Sequence, residues 1–210
     1  MAHRVKDSIL ERRKCMNLPN KITTFRMICV VGIIFLLLFP WEMCNVTMPI
    51  LFNNISLDYF LSFVIFVVAS ISDFLDGYIA RKYNLVTTYG KFMDPIADKL
   101  LVNSTIIILA SRIPSLVIVA VLMIARDIVV DALRLIEVTK NKVVAANLWG
   151  KLKTVFQMVA ICFVLLNDFP FCYIPWDINV SLIICYVAGA CSLMSMIVYL
   201  VQNKEVFNDE

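Results

Sequence analysis

The sequence predicts an all-α integral membrane protein with six transmembrane helices, and three observations support this fold class. The chain has 210 residues, of which 61% are hydrophobic and 17% are charged. Ordinary soluble domains are about 45–50% apolar and about 25% charged. Six apolar stretches are each long enough to span a bilayer as a helix, and basic residues concentrate in alternate connecting segments. This composition excludes a disordered chain, a coiled coil and an ordinary soluble enzyme.

The predicted spans follow one another with short connections. Residues 1–16 precede them and place Val5, Ile9 and Met16 roughly on one side of a helix. This segment is compatible with a basic amphipathic helix in the membrane interface or with a basic leader without fixed structure. The chain thus divides into a juxtamembrane segment over 1–21, a six-helix domain over 22–203 and a tail over 204–210. The spans are expected at 22–41, 57–80, 95–113, 114–137, 151–168 and 178–202.

The placement of lysine and arginine predicts the orientation, because cytoplasmic segments carry an excess of both. With a cytoplasmic N-terminus, six spans return the C-terminus to the same side. The external segments then hold a single basic residue, Arg112, beside several acidic ones. We therefore expect a multi-pass protein of the plasma membrane with both termini in the cytoplasm. The cytoplasmic segments hold Arg4, Lys6, Arg12, Arg13, Lys14, Lys21, Lys82, Lys91, Lys140, Lys142 and Lys204.

Four aspartates lie where the second and third spans reach the cytoplasmic surface. Asp73 and Asp76 end the second span, and Asp94 and Asp98 begin the third. Residues three or four apart share one face of a helix, so the four carboxylates are predicted to converge in one pocket. A charge in a bilayer costs about 2.5–3.5 kcal/mol or more and usually has a function or a partner. Pro95, directly after Asp94, suits the first turn of a helix, where it would point Asp94 and the helix N-terminus at a phosphate, although the start of a span explains it as well.

Such an acidic pocket requires positive charge, and hard divalent cations such as Mg²⁺ or Mn²⁺ prefer carboxylate oxygen. The chain has one histidine, His3, and no C-x-x-C pair, which argues against zinc and against histidine-based catalysis. Gly77 and Ala80 are small residues on the face that carries Asp73. Alone they would indicate helix packing. Beside four acids and Arg81 they indicate a bound ligand.

These residues form the motif Asp-x2-Asp-Gly-x2-Ala-Arg-x8-Gly-x3-Asp-x3-Asp, which resembles that of the CDP-alcohol phosphatidyltransferase family. The motif is met without a departure. Residues 17–26, with the sequence NLPNKITTFR, resemble the N-terminal motif of the phosphatidylglycerophosphate synthase branch, as do segments 125–127, 133–134 and 150–154. The motif residues in this chain are Asp73, Asp76, Gly77, Ala80, Arg81, Gly90, Asp94 and Asp98.

The resemblance implies that an acceptor hydroxyl attacks the lipid-side phosphorus of CDP-diacylglycerol and that CMP leaves. It also implies two divalent metal ions, Mg²⁺ or Mn²⁺, on Asp73, Asp76, Asp94 and Asp98. Asp98 is the candidate general base as well. A homodimer is compatible with the resemblance. The residues implied for the nucleotide site are Asn20, Thr23, Asp73, Gly77, Ala80 and Arg81.

Cationic residues of the fourth and fifth spans form the candidate acceptor site. The resembling branch uses such residues for the phosphate of glycerol 3-phosphate, and here they are Arg126, Arg134, Lys151 and Lys153. The lysines could instead contact anionic lipid headgroups, and Arg126 could pair with a carboxylate. Asp127 stands where this branch usually has Glu, and Asp131 stands where a small residue is common. These acids could reposition Arg134 or neutralise part of the pocket.

The favoured function is transfer of the phosphatidyl group from CDP-diacylglycerol to glycerol 3-phosphate, giving phosphatidylglycerophosphate and CMP. The same chemistry with phosphatidylglycerol, serine, inositol or inositol phosphate stays open. A cation transporter is a remote alternative, because its acids would be distributed across the membrane rather than clustered near one face. The expected partners are the two substrates and membrane lipid. With a net charge of +3, no nucleic-acid partner is expected.

Overall fold

The computed structural model describes residues 18–82, 88–139, 148–173 and 179–202. Within these ranges the chain is mainly helical and contains no strand beyond one isolated bridge between Ile50 and Ser56. The predicted juxtamembrane helix over 1–16 and the tail over 204–210 lie outside the described residues. The α-helices in the described part are α1 (Leu18–Leu38), α2 (Leu57–Lys82), α3 (Thr88–Arg112), α4 (Val117–Thr139), α5 (Leu148–Leu165) and α6 (Val180–Gln202).

The helices match the predicted spans closely, except at the start of α3. This helix begins at Thr88 rather than at residue 95, so Pro95 lies inside it. The prediction that Pro95 occupies a first turn is therefore wrong. The prediction that the helix N-terminus at Pro95 points at a phosphate is wrong for the same reason. The residues ahead of Pro95 are too polar to indicate a span, but a helix can extend beyond the lipid. An interior proline removes one backbone hydrogen bond and crowds the preceding turn.

An apolar core holds the helices together. α5 packs most extensively against α6, and α1 packs against α2 and α3. Small residues allow close approach in this kind of bundle. Gly189 of α6 packs closely against α4, since a Cβ there would be in van der Waals contact with a methyl group of Val119, at 3.4 Å. The core includes Ile33, Leu37, Phe66, Leu101, Leu109, Leu116, Met123, Ile161 and Leu165.

Three of the described helical segments are long and apolar enough to cross a membrane. Their outward surfaces carry apolar side chains such as Ile28, Val31 and Ile183. Contiguous exposed apolar surface of this kind marks contact with membrane or with another protein. The structure therefore agrees with an all-α membrane protein, while the number of spans and the side of the termini stay predictions. The segments are Asn20–Leu38, Leu57–Leu75 and Val180–Gln202.

One end of the bundle, which we call the opposite end, is held by polar contacts that involve the connecting loops. Arg112 donates to the backbone carbonyl of Leu37 and, at 3.1 Å, to the hydroxyl of Tyr59. Asn53 and Asn167 exchange two hydrogen bonds through their side-chain amides and backbone carbonyls, at 3.1 and 3.2 Å. Arg112 thus has a structural role. The acidic motif lies at the other end, which we call the site end.

Candidate active site

The acidic motif occupies the last turns of α2 and the first half of α3, where the two helices meet at the site end. Asp73 interacts electrostatically with both Asp94 and Asp98, so carboxylates from the two helices face the same region. Asp76, Ala80 and Arg81 belong to the last turns of α2, but their side chains lie outside the described part of the structure.

Helix α1 contributes two buried side chains to these acids. The hydroxyl of Thr23 donates to Oδ1 of Asp94 at 2.5 Å. Arg26 places Nη1 2.6 Å from Oδ1 of Asp73. Both α1 side chains are almost fully buried, and their spacing of three residues puts them on one helical face. Helix α1 therefore covers the acidic cluster and supplies it with positive charge.

Arg26 was not among the predicted site residues, although it lies inside a predicted apolar span. A charge in such a position needs a partner or a function. This rule alone could have identified Arg26 as a site residue from the sequence. It could not have identified Asp73 as the partner, because several acids at the site end could have paired with Arg26.

The donor chemistry of the acidic cluster suits a hard divalent cation. Oδ1 of Asp98 is buried and has no hydrogen-bond partner among the described residues. Carboxylate oxygens are the donors that Mg²⁺ and Mn²⁺ prefer. No group of three His, Cys, Asp or Glu residues with metal-binding geometry occurs among the described side chains, a set that does not include Asp76. The carboxylates present suit such an ion by their chemistry, and Asp76 is a further carboxylate of the motif.

A second polar cluster joins α4, α5 and α6. Both carboxylate oxygens of Asp127 accept hydrogen bonds from Nζ of Lys153, at 2.8 and 2.9 Å. Nη1 of Arg126 donates to Oδ1 of Asp127 at 3.0 Å, and Nη2 donates to the hydroxyl of Ser195 at 2.6 Å. Gly150 packs against this cluster, since a Cβ there would be in van der Waals contact with Nη2 of Arg126, at 3.4 Å. All four interacting side chains are buried.

Only part of the predicted acceptor cluster comes together. Arg126 and Lys153 share Asp127, whereas Arg134 and Lys151 are exposed. The guanidinium of Arg134 lies over the ring of Tyr199, 5.9 Å from its centroid. The structure therefore provides an inner cation pair and two outer cations.

The acids of α4 have different partners. Asp127 pairs with the inner cations, as one of the sequence alternatives anticipated. Asp131 instead pairs with Lys99 of α3 and does not reposition Arg134 in the described contacts. Lys99 and Ser195 were not selected from the sequence, since neither residue type is unusual at a helix end.

Asp98 connects the acidic cluster with the cationic one. Its carboxylate interacts electrostatically with Asp73 and Arg26 on one side and with Lys153 and Asp127 on the other. Of the remaining predicted nucleotide residues, Asn20 and Gly77 are partly buried at the same end. The site end thus combines acids suited to cations with cations suited to an anion, and one unpartnered carboxylate oxygen lies between them.

Comparison with known proteins gives consistent matches. The model of a family described as CDP-alcohol phosphatidyltransferase matches residues 16–203. A Bacillus subtilis protein named CDP-diacylglycerol--glycerol-3-phosphate 3-phosphatidyltransferase is 41% identical over 157 residues, covering 74% of this chain and 79% of the relative. Proteins of the same name from Rickettsia typhi and Haemophilus influenzae are 40% and 31% identical. They align with 91% and 88% of this chain and with 99% and 91% of their own lengths.

Proposed function

Because the chain belongs to the CDP-alcohol phosphatidyltransferase family, we propose that it transfers the phosphatidyl group of CDP-diacylglycerol to glycerol 3-phosphate. The products are phosphatidylglycerophosphate and CMP. The names of the similar proteins give both substrates. The structural observation that carries the choice of acceptor is the buried pair of Arg126 and Lys153 beside Asp98. Such a pair suits an acceptor with a net negative charge, which serine and inositol lack, and among the anionic acceptors the names of the similar proteins favour glycerol 3-phosphate.

The inner cation pair retains capacity for a phosphate. Asp127 offsets one of its two positive charges, so one net positive charge remains before substrate binds. Lysine has three donor hydrogens, of which Asp127 uses two by geometry. Nε of Arg126 has no hydrogen-bond partner among the described residues. Both groups can therefore donate to an incoming phosphate without first losing Asp127.

The acidic cluster is the proposed site of the CDP-diacylglycerol pyrophosphate. Asp73, Asp76, Asp94 and Asp98 would hold two Mg²⁺ or Mn²⁺ ions. When bound, these ions would neutralise the pyrophosphate and stabilise the charge that develops on the leaving CMP. The nucleotide itself would lie against Asn20, Thr23, Asp73, Gly77, Ala80 and Arg81.

Asp98 is the proposed general base. Its unpartnered oxygen can accept the proton of the attacking hydroxyl while Arg126 and Lys153 hold the phosphate of the same molecule. A positioned base contributes typically about 10²–10⁴-fold to the rate. The location of Asp98 between the two clusters supports this role, because the attacking oxygen must lie between the acceptor phosphate and the pyrophosphate.

The exposed cations and the membrane orientation complete the proposal. Arg134 and Lys151 would attract the anionic acceptor to the mouth of the site without holding it. Six spans with both termini in the cytoplasm would place the site at the cytoplasmic face of the plasma membrane. The tails of CDP-diacylglycerol could then stay in the bilayer while its headgroup enters the site. The homodimer stays a prediction.

The decisive experiment measures CMP release by the purified protein from CDP-diacylglycerol in detergent. The acceptors are glycerol 3-phosphate, serine, inositol, inositol phosphate and phosphatidylglycerol, each with Mg²⁺, with Mn²⁺ and with EDTA. We expect turnover with glycerol 3-phosphate and a divalent metal only. Asp73→Asn serves as the inactive control. Turnover with serine or inositol but not with glycerol 3-phosphate would overturn the acceptor, and full activity in EDTA would overturn the metal requirement.

A further inference from the structure

Two buried polar side chains near the inner cation pair have no described hydrogen-bond partner. Gln157 of α5 is 1% exposed and Ser192 of α6 is 0% exposed. Neither Nε2 of Gln157 nor Oγ of Ser192 has a partner among the described residues. Leaving a buried polar group unpaired costs about 1–3 kcal/mol. Each of these two groups therefore reduces the stability of the fold unless a ligand or a water molecule forms a hydrogen bond with it.

The helix register places Gln157 on the face that forms the cationic cluster. Gly150, Lys153 and Gln157 follow one another at spacings of three and four residues, which puts them on one face of α5. Gly150 lies against Arg126 and Ser195, and Lys153 contacts Asp127. Gln157 is therefore the next polar residue on this face, about 6 Å farther along the helix axis than Lys153.

Ser192 reaches the same region from α6. At one end of the pair, Gly150 lies near Ser195. At the other end, Asp168, just after α5, accepts a hydrogen bond from the backbone N–H of Ser181. Helices α5 and α6 therefore run antiparallel. Ser192 precedes Ser195 by three residues and shares its helical face. In an antiparallel pair this puts Ser192 level with Lys153, about one helical turn from Gln157 along the bundle axis.

Gln157 and Ser192 lie among apolar side chains. Leu101 of α3, Met123 of α4 and Ala188 of α6 are fully buried apolar residues of the bundle, and the antiparallel register puts Ala188 level with Gln157. The buried hydroxyl of Thr105, farther along α3, is satisfied locally because it donates to the carbonyl of Leu101 at 2.7 Å. Gln157 and Ser192 therefore extend the polar lining of the cationic cluster into the bundle.

We propose that Gln157 and Ser192 bind the hydroxyl on the central carbon of glycerol 3-phosphate and so determine acceptor specificity. This inference rests on the proposed function. The acceptor has three polar groups, of which the phosphate meets Arg126 and Lys153 and the attacking primary hydroxyl meets Asp98. The central hydroxyl still needs a donor and an acceptor. An amide and a serine hydroxyl each supply both.

The test compares two acceptors that differ in this hydroxyl alone. 3-Hydroxypropyl phosphate has the phosphate and primary hydroxyl of glycerol 3-phosphate but lacks the central one. We expect wild type to prefer glycerol 3-phosphate in kcat/KM for CMP release. Gln157→Met and Ser192→Ala should each lower kcat/KM for glycerol 3-phosphate by about tenfold, the equivalent of one hydrogen bond of about 1.4 kcal/mol. The value for 3-hydroxypropyl phosphate should change less than about twofold, since it lacks that bond.

Ser62→Ala is the matched control, because Ser62 is another fully buried serine whose hydroxyl has no described partner, in α2 near the opposite end. It should leave the acceptor ratio unchanged. Ser192→Ala removes an unpaired hydroxyl and should melt in detergent at or above the wild-type temperature, so misfolding does not obscure the result.

Each outcome addresses a different proposal. Equal losses on the two acceptors in both variants would overturn the specificity role and indicate structural or water-mediated contacts. A wild type that uses both acceptors equally would overturn it too. If wild type turns over another acceptor but not glycerol 3-phosphate, the proposed function fails and this inference fails with it.

Discussion

Asp127 is the residue whose removal should reveal most directly how the inner cation pair is held. It accepts three hydrogen bonds, two from Lys153 at 2.8 and 2.9 Å and one from Arg126 at 3.0 Å. Arg126 is 9% exposed and Lys153 is 4% exposed, so water cannot replace the carboxylate easily. Asp127→Asn keeps the size of the side chain but leaves two buried cations without their counter-charge.

Breaking a buried ion pair by removing one partner costs about 3–5 kcal/mol. The asparagine carbonyl can still accept one of the hydrogen bonds, so we take the lower value, about 3 kcal/mol. A domain of this size loses about 2–4 °C in Tm per kcal/mol, which gives an expected decrease of about 6–12 °C. The measurement is thermal unfolding of the purified protein in detergent.

Asp131→Asn is the matched control in the same helix. Asp131 pairs with Lys99, but the two side chains are 41% and 34% exposed. Exposed ion pairs contribute about 0–1 kcal/mol, so Tm should fall by less than about 4 °C. Equal decreases for the two variants would refute the argument that burial of the cation pair sets the cost.

Repeating the thermal unfolding with glycerol 3-phosphate present tests whether this stability effect involves the acceptor site. Adding glycerol 3-phosphate supplies the negative charge that Asp127→Asn lacks, and a ligand that binds only the folded state raises Tm. The increase in Tm should therefore be larger for Asp127→Asn than for wild type. An increase confined to wild type would contradict phosphate binding by Arg126 and Lys153.

Three further predictions concern the reaction and the topology. Arg126→Gln and Lys153→Gln should each raise KM for glycerol 3-phosphate at least about tenfold in steady-state assays, because a hydrogen bond to a charged group contributes about 1.5–3 kcal/mol. Arg134→Gln should change it much less, and similar effects for all three would contradict the division into inner and outer cations. Asp98→Asn should reduce turnover by about 100-fold or more while CDP-diacylglycerol still binds; parallel loss of binding would overturn the base role and leave Asp98 as a metal ligand only. In a variant whose other cysteines are serine, the exposed Cys44 should react with an impermeant maleimide from the external side of intact cells, and labelling only after lysis would contradict the predicted topology.

The helical architecture follows from the order of apolar and polar residues. A lipid environment gives backbone groups no partners except each other, so long apolar stretches must form helices. The ends of the helices follow less directly. α3 extends through Thr88–Asp94, because a helix that leaves the lipid can continue on polar residues and include Pro95. Hydropathy reports where lipid contact ends and not where the backbone hydrogen bonds end.

The acidic motif is the part of the site that could be predicted best. The spacing of Asp73, Asp94 and Asp98 on consecutive helices led to the expectation of one pocket, and the structure places Asp73 within electrostatic reach of Asp94 and of Asp98. The partners of the acids could not be predicted, because Thr23 and Arg26 reach them from a helix distant in sequence. Spacing within a helix defines a shared face but does not identify the neighbour that covers it.

The acceptor site shows what the tertiary structure alone decided. Successive residues are about 100° apart around a helix, so Lys151 and Lys153 point in nearly opposite directions. Their sequence gives both the same charge and the same place at the start of a span, and either could have faced inward. The rotation of α5 within the bundle placed Lys153 against Asp127 of α4 and left Lys151 exposed. In the same way, α4 buried Arg126 against Ser195 and left Arg134 beside Tyr199. The sequence determined which residues could bind an anion. The rotation of each helix within the bundle determined which two of them form a buried pair, because only packing fixes which face of a helix meets its neighbours.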